Sequence, residues 1–169
     1  MGQTVTFRAL RDNEEDLGYQ VLTGNVAWQG KTGIMLWDRS LPREVYHSRQ
    51  LRGENYGLFV DGSLAAIVCL VQGVPSYWSE VAADPGAMWL CTLAVADDFH
   101  GRGIGKLAVD RSLSLLREAG HQVVWLDCTA GFLERFYKSL DFGAVTRGRK
   151  FIPHAGRPLD CVLFKKVLI

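Results

Sequence analysis

No stretch of this chain is long and apolar enough to cross a bilayer. The longest uninterrupted apolar run, LAAIVCLV at 64–71, falls far short of the roughly 20 residues a spanning helix needs. The first residues, MGQTVTFRALRDNEED, lack the apolar centre of a secretory signal, which makes a cytoplasmic location the expectation. An excess of one charge is also missing. Nineteen Lys and Arg against eighteen Asp and Glu leave +1, so neither nucleic acid nor an anionic membrane is favoured as a partner. Cysteine is sparse: Cys69, Cys91, Cys128 and Cys161 stand far apart. No two have the short spacing of a zinc or redox motif, and no metal site is expected. They read as small core residues in a reducing compartment, because nothing in the sequence marks a base beside Cys91 or Cys128 that would make either a nucleophile. Repeats, low-complexity linkers and composition shifts are absent too, so residues 1–169 read as one domain with one substantial core.

What is present alternates between strand and helix patterns. TVTFRAL reads as a strand, and Asp12 with Glu15 forms a capping box that opens a helix through Leu17 and Val21. SLPREVYHSRQL suits a short second helix with Pro42 in its first turn, where a missing N–H does no harm. In NYGLFVDGSLAAIVCLV two apolar runs are joined by Asp61-Gly62, a tight-hairpin dipeptide. PSYWSEVAADPG reads as a loop and AMWLCTLAV as the next strand. IGKLAVDRSLSLLREAG places Ile104, Ala108, Leu115 and Ala119 on one helical face and stops at Gly120. VVWLDC has the continuous apolar character of a strand buried on both faces. FLERFYKSL groups Phe132, Leu133, Phe136, Tyr137 and Leu140 on one side of a helix, and FGAVTRGRKFI and LDCVLFKKVL close the chain as two strands. A helix between Val95 and Val123 implies a right-handed parallel crossover. The expected fold is therefore α+β in three layers: a mixed, mostly antiparallel sheet of about seven strands flanked by helices.

One segment breaks the economy of the rest. LAVADDFHGRGIGKL, residues 93–107, sets Gly101, Gly103 and Gly105 between a strand and a helix, although each glycine costs a helix roughly 1 kcal/mol relative to alanine. A turn here aims unpaired main-chain N–H groups and the positive end of the helix dipole at one spot, and glycines let an anion approach closely. A Walker loop is excluded, because His100 stands where its first glycine is required and Leu107 follows Lys106. A dinucleotide fingerprint is excluded by the two-and-two glycine spacing.

The segment LAVADDFHGRGIGKLAVD closely resembles the acyl-CoA-binding motif of the GNAT N-acetyltransferase superfamily, matching from His100 through Gly103 to Gly105. VVWLDC followed by FLERFYKSLDF resembles that family's next strand and helix. The resemblance covers nearly the whole chain and implies the GNAT fold, with acetyl-CoA as co-substrate and a primary amine of a small molecule or peptide as acceptor. It implies that Leu93, Ala94 and Val95 meet the pantetheine arm. His100, Gly101, Arg102, Gly103, Ile104, Gly105 and Lys106 would hold the pyrophosphate, with Phe136 nearby. Three departures stand out: His100 replaces Arg or Gln, the usual Asn before the last helix is missing, and Asp141 replaces a Gly before Phe142.

Acetyl transfer needs a neutral amine, a polarised thioester carbonyl and a proton for the departing thiolate. The resemblance assigns the carbonyl to the Val95 main chain and the proton to Tyr137, which by pattern alone is a core aromatic beside Leu133 and Leu140. Glu80 is the first candidate for the base, with Asp127 and a water relay as the competitor. The acceptor wall is expected among Trp28, Trp37, Tyr77, Trp78 and His154, and a homodimer is left open. Two other readings stand beside the enzyme: a catalytically idle CoA-binding sensor or interaction module, and an unrelated anion-binding α/β domain.

Overall fold

The structure, a computed structural model, describes residues 2–32, 41–152 and 155–169; Trp37 and His154 lie outside the described residues. Seven strands form one sheet: β1 (Val5–Ala9), β2 (Asn55–Val60), β3 (Ser63–Gln72), β4 (Met88–Val95), β5 (Val123–Thr129), β6 (Gly143–Phe151) and β7 (Pro158–Val167), ordered β1-β2-β3-β4-β5-β7-β6. Among the described residues four helices, α1 (Glu15–Thr32), α2 (Arg43–Leu51), α3 (Ile104–Glu118) and α4 (Phe132–Lys138), cover its faces. Every neighbouring pair is antiparallel except β4 and β5, which α3 connects as a parallel crossover. This is the mixed sheet that the pattern predicts.

Strand alternation assigns the faces. Val68 and Leu70 of β3, Val124 and Leu126 of β5, and Phe164 of β7 pack with Val109, Leu113 and Leu116 of α3 and Tyr137 of α4. Ile67 and Ala94 point the other way, into a cluster with Val21 and Leu22 of α1 and Tyr46 of α2. Farther along that second face, Trp89, Trp125 and Leu163 lie under Trp78 and Ala87 of the segment between β3 and β4. Asp84 holds that segment down, accepting from Trp125 Nε1 at 3.2 Å and pairing with Lys165 Nζ at 2.8 Å.

Local chemistry explains several details. Asp61 (φ 49°) and Gly62 (φ 82°) both adopt the left-handed conformation that a two-residue hairpin turn requires. The first cap is shifted by one residue from the expected Asp12–Glu15 box. The Arg11 N–H donates to Glu14 Oε2 at 2.8 Å, and Glu14 takes this role because Arg8 holds its other oxygen at 2.8 Å. The buried stripe of α3 is Ile104, Ala108, Val109, Ser112, Leu113 and Leu116; Ala119, expected on it, is exposed. On α4, Tyr137 and nearby Leu140 are buried, whereas Phe132 is 55% exposed. Asp141, standing where the resembled family has glycine, is itself left-handed (φ 61°). It ends α4 in the usual way, with the Phe142 N–H reaching the Tyr137 carbonyl at 3.2 Å.

Helix α1 crosses α2 through a glycine. A Cβ at Gly18 would collide with the Tyr46 hydroxyl and lie 2.7 Å from Leu10 Cδ1. That hydroxyl is buried without a hydrogen-bond partner among the described residues. Overpacking should therefore outweigh the helix-propensity gain of alanine, so Gly18→Ala is expected to lower stability by about 1–3 kcal/mol. Tyr46→Phe removes an unsatisfied group and should be neutral or stabilising by about 1 kcal/mol. Denaturant unfolding midpoints measure both.

Candidate active site

β4 and β5 stay together for only two register pairs, Met88↔Val124 and Trp89↔Trp125, and then part. The cause is visible in β4. Opposite β3, Ile67 pairs with Ala94 and Cys69 with Cys91, so β4 carries one extra residue in that interval. Thr92 sits there with φ 56°, a β-bulge that bends the strand away from its neighbour. The wedge is a cavity of about 540 Å3 that runs through the sheet. Leu93, Leu133 and Tyr137 line its α3/α4 side, and Arg49, Tyr77 and Asp127 its α1/α2 side.

The glycine segment forms one lip of this wedge. Beyond Val95 the chain makes a short 3-10 turn, Asp97–Phe99, closed by the His100 N–H on the Asp97 carbonyl at 3.4 Å. Gly101 and Gly103 are both left-handed at φ 73°, and α3 begins at Ile104. The first N–H to find an acceptor inside the helix is that of Leu107, on the Gly103 carbonyl at 3.0 Å. The main-chain N–H groups from Gly101 to Lys106 have no acceptor among the described residues. Six donors at a helix N-terminus form a cradle suited to a diphosphate. Gly105 lies between strand and last helix, where a Cβ would come to 3.7 Å from Val95 Cγ2 and 3.8 Å from Phe136.

His100 presents main chain rather than a charged side chain to this cradle. Its ring stacks flat on Trp28 of α1, with centroids 3.9 Å apart and planes 5° apart, and its Nε2 is buried without a partner. Burial pushes its pKa below the ordinary value, against the opposing pull of Asp97 and of a hydrogen bond to the Val95 main chain, so the ring is neutral at pH 7. Trp28 therefore serves the lip instead of the acceptor wall.

Tyr137 reaches the cavity from α4 with its ring against Phe136, Phe142 and Phe164. Its hydroxyl has no hydrogen-bond partner among the described residues, and burial raises its pKa well above the ordinary value. Asp127 projects from β5 on the same face as Trp125, accepting from Trp78 Nε1 at 2.9 Å. Burial raises its carboxyl pKa above the ordinary value, opposed by hydrogen bonds from Trp78 and Tyr77. Tyr77 lines the cavity, while Trp78 is buried behind it.

Glu80 is a correction to the expected site. It is 53% exposed, lies outside the cavity and forms an ion pair with Lys150. That hydrogen bond lowers its pKa below the ordinary value, the opposite of what a base working near neutral pH requires. The sequence pattern also misses Arg49. From α2 it donates Nη1 to Thr92 Oγ1 at 2.8 Å, pinning the bulge. Cys69 and Cys91 face each other beneath it across β3 and β4, and the Cys69 thiol donates to Asn55 Oδ1 at 3.0 Å. The Cys91 hydrogen bond, opposed by burial and aided by the Arg49 charge, draws the Cys69 pKa below the ordinary thiol value.

The model of the Acetyltransferase (GNAT) family matches residues 24–142. The chain belongs to that family. It is an acyl-CoA-dependent N-acetyltransferase, and acetyl-CoA is the co-substrate that members of the family use. The fold agrees with solved structures at low identity. A GNAT acetyltransferase from Listeria monocytogenes superposes with TM-score 0.79 at 16% identity, covering 97% of this chain and 95% of that one. The ribosomal-protein-S18-alanine N-acetyltransferase of Escherichia coli gives 0.70 at 19%, covering 98% and 94%. The Drosophila melanogaster polyamine N-acetyltransferase gives 0.69 at 15%, covering 98% and 100%. No curated protein is detectably similar to the chain in sequence. No helix among the described residues is long and apolar enough to cross a membrane.

The cradle generates a direct expectation. Nothing crowds a Cβ at Gly101 or Gly103, so alanine there acts through backbone strain of about 1–2 kcal/mol per residue rather than through collision. Gly101→Ala and Gly103→Ala should each weaken CoA binding about tenfold in calorimetric titration, while the far-ultraviolet spectrum of the fold stays unchanged.

Proposed function

We propose that this acetyltransferase passes the acetyl group directly to a primary amine held in the cavity, with Tyr137 giving a proton to the departing sulfur and Asp127 removing the amine's proton through water. Acetyl-CoA supplies an activated acetyl group and a thiol leaving group. The observation that carries the reading is the wedge between β4 and β5, with a free tyrosyl hydroxyl on one side and a half-buried carboxyl on the other.

The roles follow from the environments. Six unpartnered N–H groups of residues 101–106 bind the diphosphate, and the Leu93–Val95 stretch, past the last pairing with β5, offers main-chain groups to the pantetheine arm. Phe136 and Gly105 form the wall beside it. Tyr137, its pKa raised by burial, stays protonated at neutral pH and keeps its proton for the thiolate. Asp127 has the complementary property. Its raised pKa makes it a stronger base than a solvated aspartate, and Trp78 Nε1 fixes its orientation. Glu80, committed to Lys150 in solvent, takes no part.

Thiol release from acetyl-CoA over a panel of amines tests the proposal. Tyr137→Phe should lower kcat about tenfold to a hundredfold with CoA affinity unchanged, and Asp127→Asn about a hundredfold, whereas Glu80→Gln should leave the rate as it was. The sign of the pH dependence follows from Asp127: protonated below its raised pKa, it cannot accept, so the rate should fall as pH drops through a value above the ordinary carboxylate range. Asp127→Asn should erase that limb. An unchanged profile in this variant would remove the assignment, and thiol release by no amine would favour the sensor reading.

A further inference from the structure

We infer that the acceptor is zwitterionic, an amine that also carries a carboxylate, with Arg49 as the residue that selects it. The inference rests on the acetyl-transfer reading and deepens it.

Among the described side chains lining the cavity, Arg49 is the only basic one and Asp127 the only carboxyl. Both lie on the α1/α2 side of the sheet. Asp127 shares the face of Trp125, two residues earlier on β5, and Arg49 reaches over Cys69, Cys91 and Thr92 from α2. They form no ion pair with each other, and no carboxylate among the described residues pairs with Arg49. Its near partners are the Thr92 hydroxyl and the Cys69 thiol, and that thiol donates its hydrogen to Asn55.

A guanidinium in such a place is unusual. It is half-buried. Enclosure works against its charge, but Cys91, Cys69 and Glu54 nearby outweigh that and raise its pKa above the ordinary value, so it is a cation at neutral pH. It offers five donors in a planar fork suited to a carboxylate, of which Thr92 takes one and the Cys69 thiol another. The remaining wall is apolar or neutral, with residues such as Val71, Tyr77 and Trp89. A cavity holding one separated cation and one separated anion is complementary to a ligand holding the reverse pair. The ammonium end faces Asp127, which accepts its proton, and the carboxylate end faces Arg49. A polyamine or a diamine would instead set a second cation against Arg49, where partial burial leaves the repulsion less screened than in bulk water. A plain alkylamine would leave the guanidinium unpaired.

The experiment measures kcat/KM by thiol release on the full chain with acetyl-CoA and matched acceptors. α-Amino acids and ω-amino acids are compared with their carboxamides and with diamines of the same length. The carboxylate acceptors should be preferred about tenfold or more. Arg49→Gln should abolish the preference through KM, leaving kcat at saturation and calorimetric CoA affinity close to the parent, and Arg49→Lys should keep part of it. Should Arg49→Gln disturb the bulge, kcat and CoA affinity would fall for every acceptor alike; the preference of the unaltered enzyme then decides. Carboxamides or diamines turned over as well as the amino acids, or a preference that survives Arg49→Gln, would overturn the inference while leaving acetyl transfer standing. Acetyl-CoA binding without thiol release for any amine would overturn both.

Discussion

Main-chain hydrogen-bonding groups inside a protein are almost always paired, and this molecule leaves them unpaired at two adjoining places. The pairing of β4 with β5 ends after Trp89, and the six N–H groups from Gly101 to Lys106 have no acceptor among the described residues. Gly101, Arg102, Gly103 and Lys106 are exposed, so water serves the donors there. Side by side, the two places make a continuous track that a long, flexible, polar-backboned ligand can complete. In the proposed reading a diphosphate would meet the helix end and an amide-bearing arm the strand. The helices on both faces, the buried α3 stripe and the anchored segment over Trp89 keep that track open against the tendency of two neighbouring strands to zip together.

The two ends of the cavity then divide the chemistry. On the α3/α4 side the surroundings are aromatic and apolar, and they keep a tyrosyl proton in place. On the α1/α2 side a carboxyl and a guanidinium stand apart in an otherwise neutral wall. Location decides their use. Glu80 and Asp127 are both carboxylates near aromatic residues, but Glu80 is solvated and bound to Lys150, whereas Asp127 is enclosed and held by an indole N–H. Opposite shifts in proton affinity follow from that contrast alone.

Much of this was legible in the residues themselves. Alternation and helical periodicity marked every strand and helix, Asp61-Gly62 marked the hairpin, and the glycine spacing marked the cradle. What was not legible depends on distant pairs. Arg49 and Thr92 are 43 positions apart and meet only once α2 folds over β4. Thr92 carries no local sign of its left-handed backbone, because a β-branched residue is the least expected occupant of that region. The stacking of His100 on Trp28 and the diversion of Glu80 to Lys150 are likewise choices between partners far along the chain. Asp141 shows the converse: a residue with a side chain takes the left-handed backbone that the resembled pattern gives to glycine.

The bulge at Thr92 has an arithmetic meaning. Side chains on a strand obey a parity rule, and one supernumerary residue changes odd to even for everything downstream. Trp89 and Cys91 face α1 and α2; by plain alternation Leu93 and Val95 would do so too, yet they face α3 while Ala94 packs toward α1. Excise Thr92 and plain alternation would still leave Val95 beside Gly105, but the bend that parts β4 from β5 would be lost. The strand can exchange many of its letters, but the count between Cys91 and Leu93 is the quantity it must conserve.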